Sequence, residues 1–169
     1  DGGNAYYRDS MARARELSQR GIGYVDAGVS GGVHGLANGY CLMLGGTPEA
    51  VAGFAPLARV LAPAQDRGWL HCGPSGAGHF AKMIHNGIEY GMMQAYAEGF
   101  ALLAARKDLA IDPGALAETW RHGSVVRSWL LDLCAEALGE DADLSGFAPV
   151  VADSGEGRWT AQEAVALGV

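Results

Sequence analysis

The chain has 169 residues, 49% hydrophobic, 8% aromatic and 18% charged, which is enough apolar material to bury a core in one domain or in parts of two. A formal net charge of −7 and a pI near 5.1 exclude the broad cationic footprint that nucleic-acid phosphates demand, while leaving room for a small anion held by locally placed cations. No apolar run approaches the roughly 20 residues of a membrane span, and three widely spaced cysteines, Cys41, Cys72 and Cys134, argue against a disulfide framework or a zinc cluster and for a reduced, cytoplasmic setting.

The chain opens on Asp1-Gly2-Gly3-Asn4, without an initiator Met or a signal-peptide pattern, and stops at Ala166-Leu167-Gly168-Val169 without a polar tail. Both ends read as those of an internal fragment. Tyr6 to Arg20 is rich in helix formers, carries Met11, Ala12, Ala14 and Leu17 on an apolar side, and is stopped by Gly21-Ile22-Gly23, which predicts a helix and a turn. Tyr24 to Val29 and, after a Gly-rich loop, Tyr40 to Leu44 read as short strands. Thr47-Pro48-Glu49 supplies an N-cap, a proline at the first helical position and an early acid, opening a helix through about Leu61. Trp69 to Cys72 reads as a third strand. This alternation predicts half of an α/β layer whose first strands are missing.

From Gly78 to about Arg106 there is no proline, and the composition predicts one helix of roughly 43 Å. Pro113 to His122, Val125 to Leu138 and Thr160 to Leu167 read as further helices. The expected fold class is therefore α/β plus all-α. Residues 1–73 are the C-terminal part of a Rossmann-like domain, and residues 74–169 a helical domain opened by the long helix. The 26 glycines are dispersed at element boundaries, with no internal repeat and no low-complexity tract.

Chemistry concentrates on the long helix. Lys82, Asn86 and Glu89 follow one another at four and three residues, so they lie within about 60° of one another on the helix surface, with His85 and Tyr90 bordering the stripe. On an arbitrary helix this would be a solvated face with a Lys–Glu link. Here Phe80, Met83, Ile84, Ile88, Met92 and Met93 are expected to surround it with apolar bulk and shift the pKa values of the polar groups. A lysine disfavoured as ammonium can serve as a general base, and a glutamic acid of raised pKa can return a proton to carbon. Asn86 and His85 can orient hydroxyls.

The run from Gly78 to Gln94, GHFAKMIHNGIEYGMMQ, resembles the catalytic helix of the 6-phosphogluconate dehydrogenases. Asp1-Gly2-Gly3-Asn4 agrees, as do Gly28-Val29-Ser30-Gly31-Gly32 and Gly39-Tyr40-Cys41-Leu42-Met43, the latter similar to the shorter bacterial members. Asp153-Ser154-Gly155-Glu156-Gly157-Arg158-Trp159-Thr160 resembles the family's Gly-x-Gly-basic-Trp-Thr segment, although an extra lysine found just before it in longer members has no clear counterpart. The resemblance implies oxidative decarboxylation of 6-phosphogluconate to ribulose 5-phosphate and carbon dioxide. It gives Lys82 the role of base toward the 3-hydroxyl and Glu89 that of acid toward C1. Asn4, Ser30, Gly31, Gly32, His85, Asn86 and Tyr90 would hold the sugar acid, glycines allowing close approach of N–H donors to a carboxylate. Arg158 is a candidate for the phosphate.

Gly76-Ala77-Gly78-His79-Phe80-Ala81 fits the loose dinucleotide pattern G-x-G-x-x-A, but the strand with an acidic end that should follow about 20 residues later is missing, because the helix continues. The resemblance instead places the fingerprint for NADP or NAD upstream of residue 1. Asn4 and Gly78 then lie near the nicotinamide end of the cofactor. It further implies a homodimer or homotetramer for the full-length protein, a small-molecule substrate, and no nucleic-acid or membrane partner; the present residues alone are not expected to turn over. Two other readings stand beside it. One is a related β-hydroxyacid dehydrogenase acting on a small unphosphorylated acid, which has no need of Glu89; the other is a non-catalytic protein retaining only the sugar-acid pocket.

Overall fold

The computed structural model describes all 169 residues, which form two compact units: residues 1–87 together with 153–169, and residues 88–152.

In the first unit, α1 (Tyr7–Ser18) ends where Gly21 turns to φ +69°, letting Gly21 N donate to Ser18 O and Ile22 N to Leu17 O. Strands β1 (Val25–Ser30), β2 (Cys41–Gly46) and β3 (Trp69–Gly73) form a three-stranded sheet in the order β1-β2-β3. β2 and β3 are parallel and joined through α3 (Pro48–Leu61), a right-length crossover, whereas β1 and β2 are antiparallel. The connection 31–40 explains the difference: it is shorter than the dozen or so residues a parallel crossover needs. It coils into a 3₁₀ turn, Gly32–His34, and the four-residue helix α2 (Gly35–Asn38).

The expected cap of α3 is present, with Thr47 accepting a hydrogen bond from Ala50 N and Pro48 at the start. The helix buries Val51, Ala55 and Ala58, of which Val51 and Ala58 join the sheet residues Ala27, Leu42 and Leu44. The resulting core joins Ala27, Leu42, Leu44, Val51 and Ala58, with Phe54, Tyr40 and Trp69 around it.

The long helix α4 runs unbroken from Ala77 to Ala105. In the second unit its later turns are followed by a 3₁₀ turn, Lys107–Leu109, by α5 (Pro113–Trp120) and by α6 (Trp129–Glu140). Asp112 caps α5 by accepting from Gly114 N and Ala115 N, and Ser128 caps α6 by accepting from Leu131 N. The core here is Ala117, Leu131, Ala135 and Leu138, flanked by Tyr96, Phe100, Trp120 and Cys134.

Two helix starts differ from expectation. α6 begins at Trp129 and not at Val125, because Ser128, in extended conformation, takes the cap position, and residues 124–127 form a turn, closed by Arg127 N donating to Ser124 O, whose Val126 O accepts from the Tyr96 hydroxyl. α7 (Glu156–Leu167) begins four residues before Thr160, where Gly155 at φ +105° reverses the chain into the first turn. The three cysteines are free thiols, and no helix is long and apolar enough to cross a membrane.

Candidate active site

The geometry starts with how α4 is seated on the sheet. Asp26, fully buried near the start of β1, accepts hydrogen bonds from Gly76 N (2.7 Å) and His79 N (3.0 Å) and so caps the first turn of α4 with a carboxylate. These charge-assisted bonds and the favourable sign of the helix dipole offset the desolvation of the acid. At this helix start the amides of Gly76 and His79 are thereby taken by Asp26 and that of Ala77 by Pro74 O, which supports rejecting the G-x-G-x-x-A stretch as a phosphate cradle. Sequence reading passed over Asp26; its only signal was a lone acid inside an otherwise apolar strand.

Glycine makes the seating close. A Cβ on Gly78 would lie 2.4 Å from Met43 O and 2.5 Å from Asp26 O, and one on Gly28 would lie 2.4 Å from the Cβ of Lys82. Gly78 is thus buried between helix and strand backbone. One residue on, His79 is buried and its Nδ1 pairs with the Oγ of Ser10 on α1 at 2.6 Å. Burial pushes the His79 imidazole below its ordinary pKa, against the upward pull of Asp26.

One turn further, five of the expected residues meet in a single hydrogen-bonded chain within the first unit. Lys82 Nζ donates to Asn86 Oδ1, and His85 Nδ1 lies 2.9 Å from the same oxygen. His85 Nε2 lies 3.2 Å from Ser30 Oγ at the end of β1. Because a lysine ammonium can only donate, the atom of Asn86 facing it is the carbonyl oxygen. His85 then carries its proton on Nδ1, and its Nε2 accepts from Ser30. On the other side Asn86 Nδ2 donates to Glu156 Oε1 (3.1 Å), Ser154 Oγ donates to Glu156 Oε2 (2.5 Å), and Asn4 Nδ2 donates to Ser154 O (3.1 Å).

Lys82, His85 and Asn86 are half-buried, Glu156 is buried at 5% exposure, and Asn4 is exposed. Beside Ser30, Gly31 and Gly32 take φ +133° and +49°; a Cβ on Gly31 would lie 3.2 Å from the Tyr40 ring, whereas nothing lies within 4 Å of where a Gly32 side chain would begin, so the open position is Gly32.

Other expectations meet different surroundings. The apolar bulk predicted around the stripe is partial: Met83 is buried, but Ile88, Met92 and Met93 are exposed. Arg158 is exposed and donates from Nε to Asp153 Oδ2 at 3.0 Å; that hydrogen bond, with one from Gly155 N, holds the Asp153 carboxyl below the usual range. Glu89 and Tyr90 continue α4 within the second unit.

Sequence reading also missed Glu156. An acid in a first helical turn is ordinary dipole complementation, and only tertiary structure brings it to Asn86. α7 reinforces the contact: Thr160 Oγ1 donates to Met83 O at 2.9 Å, and a Cβ on Gly87 would lie 2.6 Å from Thr160 Cγ2. Asn-Gly at 86–87 therefore supplies both an amide for the network and the space for α7 to close on it.

Residues 1–70 match the family model described as the NAD binding domain of 6-phosphogluconate dehydrogenase, and residues 78–169 match the model of the 6-phosphogluconate dehydrogenase C-terminal domain. The NAD(+)-dependent, decarboxylating 6-phosphogluconate dehydrogenase of Haloferax volcanii is 46% identical over 167 residues, covering 98% of this chain and 54% of that protein. The enzyme of the same description from Bacillus subtilis is 37% identical over 178 residues, covering all of this chain and 38% of its own length. Among solved structures, 6-phosphogluconate dehydrogenase of Plasmodium falciparum superposes with a TM-score of 0.84 at 28% identity, over the whole of this chain and 38% of that one. The chain thus spans about half or less of the length of these relatives.

Proposed function

Because this chain belongs to the 6-phosphogluconate dehydrogenase family, we propose that it carries the catalytic portion of an enzyme that oxidatively decarboxylates 6-phosphogluconate to ribulose 5-phosphate. The observation that supports this reading best is the network joining Lys82, Asn86, His85 and Ser30, close in sequence to the open Gly32.

NAD or NADP, when bound, takes up the hydride. Lys82 Nζ removes the proton of the 3-hydroxyl as that hydride leaves C3, so no net charge has to build up on the alkoxide oxygen. The β-keto acid formed loses carbon dioxide, and Lys82, now an ammonium, steadies the negative charge passing onto the former C3 oxygen. Glu89, two turns along the same unbroken helix, delivers a proton to C1 of the resulting enediolate, whose charged oxygen becomes the ketone of ribulose 5-phosphate. Asn86 and His85 orient hydroxyls, Ser30 with the backbone of Gly31 and Gly32 receives the carboxylate, Tyr90 also holds the sugar acid, and Arg158 takes the phosphate.

Toward the cofactor, Asn4 is exposed and able to contact it, and Gly78 acts by letting α4 begin close against the sheet. The full-length protein is proposed to be a homodimer or homotetramer.

The test is steady-state reduction of NAD and NADP with 6-phosphogluconate by the full-length protein and its Lys82→Met variant. Loss of at least about 10³-fold in kcat is expected from removal of the base. Wild-type-like rates in the variant would exclude Lys82 from that role.

A further inference from the structure

Asn86 is an asymmetric group: its oxygen and nitrogen must face the right partners for the network to work. Lys82 enforces this while it is an ammonium, because an ammonium only donates. In the proposed reaction, however, Lys82 starts as a neutral amine, which donates and accepts alike, and no longer selects the amide oxygen. His85 cannot supply the selection either, since the site of its ring proton follows from which Asn86 atom it meets.

The remaining partner is Glu156. It is buried at 5% exposure, reaches Asn86 Nδ2 with one carboxylate oxygen, and is itself held by the Ser154 hydroxyl on the other. An ionised carboxylate only accepts, so it requires the NH₂ end of the amide. The Thr160 hydroxyl and the contact of Thr160 with Gly87 fix the helix that carries it.

From this geometry we infer that Glu156 is a positioning residue, which holds the Asn86 amide with its oxygen toward Lys82 and His85 throughout the reaction cycle. The inference rests on the proposal that Lys82 and Asn86 handle the sugar acid. Glu156 touches neither substrate nor cofactor in this scheme; it acts through Asn86.

The discriminating variant is Glu156→Gln, which keeps size and hydrogen-bonding reach but replaces a pure acceptor with a group that accepts and donates. Two readouts are needed in the full-length protein. The side-chain amide resonances of Asn86, followed without ligand in ¹⁵N–¹H correlation spectra and assigned by their loss in Asn86→Ala, are expected to move and broaden in Glu156→Gln. In kinetics, kcat/KM for 6-phosphogluconate is expected to fall at least about tenfold, most of it in kcat, while KM for the nicotinamide cofactor changes less than about twofold. Unmoved amide resonances, wild-type kinetics, or equal losses toward both substrates with a lowered melting temperature would each overturn the inference. If the resonances respond as expected but the wild-type protein does not oxidise 6-phosphogluconate, the positioning stands and the proposed reaction fails.

Discussion

At the scale of single residues, the proposed chemistry divides between a base and an acid on one helix, and the division can be tested separately from Lys82. Replacing Glu89 by Gln leaves hydride transfer and carbon dioxide loss to Lys82 and removes only the donor to C1. A first turnover of reduced cofactor near the wild-type rate is expected, followed by steady-state turnover about 10²-fold slower, as read by stopped-flow absorbance. A steady state equal to wild type would remove Glu89 from the acid role. Gly28 is a position where one methyl group matters. Its Cβ would lie 2.4 Å from that of Lys82 and 2.7 Å from Gly78 O. Gly28→Ala is expected to cost about 1–3 kcal/mol through overpacking and to lower kcat more than tenfold by displacing the base, measured as melting temperature and turnover. Unchanged values for both would mean that α4 has slack against β1.

At the scale of elements, the contact between α1 and α4 carries a pH dependence. His79, buried against Ser10, holds its proton less tightly than the ordinary value of 6.5. The unfolded chain takes up a proton as pH falls through that value, whereas the folded chain resists until lower pH, so stability is complete above it and is lost on acidification. Urea midpoints of wild type are expected to fall more steeply between about pH 7.5 and about pH 5.5 than those of His79→Gln; parallel profiles would contradict this. Elements were legible wherever a local device sets them. Thr47-Pro48 announced α3, the proline-free run announced α4, and Pro113 announced α5. The starts of α6 and α7 were not, because Tyr96 and Gly155 set them through a distant hydroxyl and a left-handed turn. Candidate-site residues sharing the α4 stripe were legible from helical spacing. Asp26 and Glu156 were not, since each is defined by a partner 50 or 70 residues away.

At the scale of the whole molecule, the sheet, the seated helix and α7 form one unit around the amide of Asn86, and the later turns of α4 with α5 and α6 form another. The antiparallel β1 brings Ser30 to His85, and α7 brings Glu156 from the far end of the sequence to the same place. The chain covers 54% of the Haloferax volcanii relative, so turnover is a property to be sought in the full-length protein. The most direct test is the stoichiometry of that protein with 6-phosphogluconate, following reduced NAD or NADP by absorbance and carbon dioxide by trapping. One carbon dioxide released for each cofactor reduced, with no reduction by a small unphosphorylated 3-hydroxy acid, is the expected result. Cofactor reduction without carbon dioxide, or equal rates with the unphosphorylated acid, would contradict it.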